Sequence, residues 1–97
     1  MKQYTTPEQT AKLIELGFEQ PKSIVGHDGY WGYDYAYSIG ELFEMLPEFS
    51  NIYDLTDIHT MKRHWYVGHV STLNVCADEL IDALYNMIIK LKEEGVL

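Results

Sequence analysis

Apolar residues recur at two periods along this 97-residue chain, and the periods divide it into seven predicted elements. Near the C-terminus Leu80, Ile81, Leu84, Met87, Ile88 and Leu91 repeat every three or four residues, which lines one face of a helix over about 77–95. Asp78 and Glu79 fall in its first turn, Lys90 and Lys92 near its end, and Gly95 is a natural stop. At the other end Thr6, Pro7 and Gln9 supply an N-cap, a first-turn proline and a capping-box partner, predicting a helix over 7–16. Gly17 can take the left-handed conformation that ends it, letting Phe18 fold back. A second capping box, Ser38 with Glu41, opens a short helix that Pro47 stops. A helix so short is not stable alone, so Ile39, Leu42, Phe43 and Leu46 are all expected to be held by tertiary packing.

Between these helices the period falls to two. Residues 22–25 read as a strand, and Asp28-Gly29 as a two-residue hairpin turn that places Ile24 opposite Tyr33 and Lys22 opposite Tyr35. The return strand GYWGYDYAY, 29–37, puts Trp31, Tyr33, Tyr35 and Tyr37 on one face and Tyr30, Gly32, Asp34 and Ala36 on the other. The aromatic face is expected to pack beneath helices; a binding platform with wet hydroxyls is the alternative. NIYDLTDIH at 51–59 and HWYVGHV at 64–70 predict a second hairpin around 60–63, with His59 opposite His64. That register groups Ile52, Thr56 and Ile58 with Trp65 and Val67, and Tyr53, Leu55 and Asp57 with Tyr66 and Val70. Both groups carry apolar residues, so the pattern does not select the buried face.

The order α-β-β-α-β-β-α predicts an α+β fold, an antiparallel sheet of two β-hairpins with three helices. A helix follows each hairpin, a hint of two ββα units. The length fits a single domain over 1–97, and the 46% hydrophobic and 13% aromatic content is that of a chain able to offset the entropy of ordering.

Charge narrows the partners. Fifteen acidic residues against seven Lys and Arg give a formal charge of −8, which repels phosphate backbones, so nucleic acid is not expected. The same charge serves solubility or docking on a basic protein. One cysteine, Cys76, excludes an intramolecular disulfide and a thiolate zinc cluster, and fits a reducing compartment. The N-terminal stretch shows no apolar run, and no window approaches the roughly 18 apolar residues of a membrane span. The expectation is a soluble, cytoplasmic chain.

Candidate chemistry is sparse. His59, His64 and His69 lie five apart, which is not a helical-face spacing, so a three-His site is not encoded locally. His59 with His64 across the hairpin, joined by Asp57, is a weak candidate for zinc or ferrous iron; solvated hairpin ends are the ordinary alternative. Asp54 facing His69 would orient a general base, without a placed nucleophile. Cys76 is expected to be a small buried hydrophobe. The glycines at 26, 29 and 32 match no phosphate loop, and no cofactor is expected.

The segments YTTPEQTAKLIELGFEQP, YDYAYSIGELFEMLP and DELIDALYNMIIKLKEEGV together resemble a family of small uncharacterised proteins from gut anaerobes and their phages or mobile elements. The resemblance implies a stand-alone cytosolic protein and brings no catalytic or binding residues with it. From the residues themselves, the leading expectation is a non-enzymatic interaction module that binds a protein partner, or itself, through Trp31, Tyr33, Tyr35, Trp65 and Tyr66. The alternative is a small ligand-binding domain or metal-dependent enzyme using the Tyr/Trp face and the histidines.

Overall fold

The computed structural model describes residues 3–26, 33–47, 50–56, 59, 61–69 and 72–97. The fold is α+β, with the order α1 (Pro7–Glu15), β1 (Ser23–Gly26), β2 (Tyr33–Ala36), α2 (Ile39–Met45), β3 (Ser50–Thr56), β4 (Arg63–His69), β5 (Thr72–Ala77) and α3 (Leu80–Glu93). The strands form two antiparallel sheets, a β1-β2 pair and a three-stranded sheet ordered β3-β4-β5. The sequence reading lacked β5. Only two residues separate it from β4, and TLNVCA reads as a lead-in to the last helix rather than as a strand.

Local signals set the helix ends. Both capping boxes form: Thr6 and Gln9 exchange hydrogen bonds at α1, and Ser38 and Glu41 do so at α2. Gly17, at φ +97°, lets the Phe18 N–H reach the Leu13 carbonyl at 3.2 Å and return the chain toward the core. The last helix begins later than its acidic start predicted. Leu80 is its first residue, Glu79 is an N-cap without a side-chain hydrogen bond, and Asp78 lies outside the helix.

One core joins the layers. Leu13 of α1, Tyr37, Leu42 of α2, Val67 of β4 and the α3 residues Ile81, Leu84, Met87, Ile88 and Leu91 are fully buried together. The amphipathic face of α3 supplies most of this surface and packs on β4, β5 and α2. Ile52, Trp65, Val67, Val75 and Ala77 share the sheet face beneath it, which settles the choice left open by the alternating pattern. The molecule is flat, 43 × 34 × 17 Å, so its thin dimension holds one sheet and one helical layer.

Three expectations are corrected. The first hairpin pairs Ile24 with Tyr35 and Gly26 with Tyr33, a register displaced by two residues from that of a two-residue turn at Asp28-Gly29. The turn itself lies outside the described residues. The second hairpin pairs Leu55 with His64 and Thr56 with Arg63, so His59 falls beyond the paired strands, while Met61 takes a left-handed conformation at φ +57°. An even displacement keeps each side chain on its predicted face, so the partition survived although the partners changed. Phe43, expected to pack, is 57% exposed.

Candidate functional site

The aromatic stripe of β2 divides within two residues. Ala36 turns inward and is buried, while Tyr35 stands on the opposite side, 57% exposed, directly across from Ile24 at 55%. Tyr37, two residues on, is 1% exposed. Its N–H donates to Thr5 Oγ1 at 3.0 Å, the Thr5 N–H donates to its carbonyl at 3.0 Å, and its phenol donates to the Glu19 carbonyl. Tyr35 therefore corrects the expectation of a packed aromatic face. Trp31 lies outside the described residues, as does the side chain of Tyr33.

Trp65 and Tyr66 do not form one platform. Trp65 packs against the core beneath α3, and the alternation of β4 sends Tyr66, half-buried, to the other face. Cys76 lies opposite Tyr66 and is exposed, which corrects the buried-hydrophobe reading: Val75 and Ala77 take the inward positions, leaving Cys76 outward.

The histidines meet other neighbours than the sequence suggested. His64 Nδ1 lies 2.9 Å from Asp78 Oδ1 at the β4–β5 end of the sheet, with Asp78 77% exposed. A contact so exposed contributes at most about 0–1 kcal/mol. Asp54 lies opposite Trp65, and His69 opposite Ser50, so the predicted Asp54–His69 pairing is absent from the register. Among the described residues no group of three His, Cys, Asp or Glu side chains can hold a metal ion.

A concave feature lies at the foot of β1, between the α1 C-terminus and α2. Phe18 and Met45 give this cleft of about 270 Å³ its apolar wall, and Lys22, Tyr37, Glu41 and Glu44 add polar groups. Glu41 is fixed there from three directions. Its Oε1 accepts from the Ser23 hydroxyl and from the Ser38 N–H at 3.3 Å, and its Oε2 accepts from the Lys22 N–H at 2.9 Å. Burial pushes the Glu41 carboxyl upward, but the hydrogen bonds from Ser23, Lys22 and Ser38 outweigh it and hold the group below its ordinary value. Burial, aided by the Glu41 charge, raises the Tyr37 phenol. The arrangement thus fixes a negative charge beside an apolar wall.

Sequence reasoning found Glu41 as a capping-box partner. Its second task joins residues 18 and 19 positions away, and no local pattern signals such a contact. No helix among the described residues is long and apolar enough to cross a membrane. Comparisons with protein-family models, curated proteins and solved structures found no match, so the site is interpreted from its own chemistry.

Proposed function

We propose that this chain is a small acidic interaction module that docks a basic protein partner through the outer face of the β1-β2 hairpin. The observation that carries this reading is the Ile24–Tyr35 pair, two large apolar side chains opposed on adjacent strands and each more than half exposed. Their backbone is anchored from the other side, where Ala36 is buried and Ser23 donates to Glu41. Such a pair presents apolar area without having to be ordered at binding, which suits an interface centre. A net charge of −8 repels a second copy and steers a basic surface inward. Trp65, by contrast, serves the core and not this surface.

Photo-crosslinking in the native cell tests the reading, with a benzophenone amino acid placed at position 35, at 24 and, as a control, at exposed Asn86 of α3. One basic protein captured from 35 and 24 but not from 86 is expected. Equal capture from all three positions, or capture of a second copy of the chain from 35, overturns it.

A further inference from the structure

We infer that the cleft at the foot of β1 receives a single arginine or lysine side chain of the docked partner. The inference takes from the proposed function only that the ligand is a protein; the cleft is a separate place from the Ile24–Tyr35 face. Its size sets the scale first. About 270 Å³ falls just below the range of roughly 300–1,000 Å³ found for small-molecule sites, and suits one inserted side chain.

The lining then matches the two halves of a long basic residue. Phe18 and Met45 offer apolar surface for a methylene stem, and Glu41 supplies an anionic end. Glu41 has acceptor capacity left, because Oε2 takes one hydrogen bond, from the Lys22 N–H, and a carboxylate oxygen accepts two. No basic side chain among the described residues pairs with Glu41, and exposed Glu44 adds a second carboxylate to the lining. The Phe18 ring already draws an ammonium from within the chain, Lys92 Nζ lying 5.6 Å from its centroid. A concave, low-dielectric wall concentrates the field of the fixed Glu41 charge, so the cleft favours a cation over a neutral group of equal shape. Shape, field and free acceptor thus converge on one class of occupant.

The probe is the peptide acetyl-Gly-Arg-Gly-amide, titrated against the isotope-labelled protein while the amides of Lys22, Glu41, Glu44 and Met45 are followed, with the citrulline analogue as a neutral twin. The arginine peptide is expected to move these amides and the citrulline peptide to leave them in place. Glu41→Gln keeps one oxygen for the Ser23 and Ser38 donors, gives up the acceptor that faces the Lys22 N–H, and should weaken the arginine peptide about tenfold, the loss of one charge-assisted bond. Glu44→Lys, at an exposed position, should weaken it without any demand on the fold. Glu8→Gln, at the opposite end of α1, makes the same charge change and should alter affinity less than twofold; Tyr35→Ala should leave it unchanged. Equal shifts from both peptides, or equal weakening by Glu8→Gln and Glu41→Gln, overturn the inference. If the peptide binds as expected while crosslinking from 35 captures no basic partner, the hairpin reading falls and the cleft stands; the reverse pattern removes the cleft alone.

Discussion

Tyr35 and Tyr37 stand two residues apart, where strand alternation places side chains on one face, yet the first is 57% exposed and the second is buried in the core. The cause is the end of β2 at Ala36. Beyond it the chain leaves Ile24 and Ser23 and pairs instead with the segment before α1, through the Thr5–Tyr37 hydrogen bonds and a Tyr4–Ser38 bridge. A new partner reorients the backbone, so one ring is given to the core and the other is left to solvent.

Thr5 holds that junction. The Thr10 hydroxyl spends its only proton on the Thr6 carbonyl at 2.8 Å, so across the 2.7 Å contact between the two threonines Thr5 is the donor. Thr5 Oγ1 also accepts the Tyr37 N–H. Thr5→Val keeps the shape and removes both bonds in a buried place, and should cost about 1–3 kcal/mol in urea unfolding. A loss below a few tenths of that range would show that water reaches the junction.

Glu41 makes stability depend on acid. Its carboxyl is lower in the folded chain than its ordinary value of 4.5, so its contribution is complete above that pH and is lost as pH falls through the lower folded value. Urea midpoints of wild type and Glu41→Gln should therefore converge as pH is lowered from 6 toward the acid transition. A gap that stays constant over that span would contradict the account.

Tyr37 makes the opposite arm. Its phenol is raised above 10.0 in the fold, so its contribution is present below that pH and lost as pH climbs through the folded value. Tyr37→Phe should cost about 1 kcal/mol at neutral pH through the lost bond to Glu19 and should flatten the alkaline fall in stability. An alkaline limb unchanged by the substitution would assign it elsewhere.

Cys76 is exposed and should react with a thiol reagent in the folded protein at a rate close to that of the urea-unfolded chain. Protection by orders of magnitude would return it to the interior.

What the sequence made legible was local. Thr6 and Ser38 announce their helices because a cap hydrogen bond spans three residues, and the α3 stripe announces its buried face because six apolar residues hold one period. Pairing was less legible. Alternation put Ile24 and Tyr35 on one face of the first hairpin and Trp65 and Tyr66 on opposite faces of the second, but the register depends on connections through 27–32 and 57–62, where a turn signal such as Asp28-Gly29 competes with the packing of the whole strand. β5 escaped because Val75 and Ala77 are its only inward apolar side chains among those described. The cleft was not visible at all, since Lys22, Ser23 and Glu41 meet only after α1, the first hairpin and α2 have packed.

The division of the stripe is tested most directly by one urea titration of wild type, Tyr35→Ala and Tyr37→Ala side by side. Tyr37→Ala should lose about 3–5 kcal/mol, the cost of emptying a buried aromatic site, and Tyr35→Ala should stay within about 0.5 kcal/mol of wild type. Equal and large losses from both would make Tyr35 a core residue and contradict the proposed docking face.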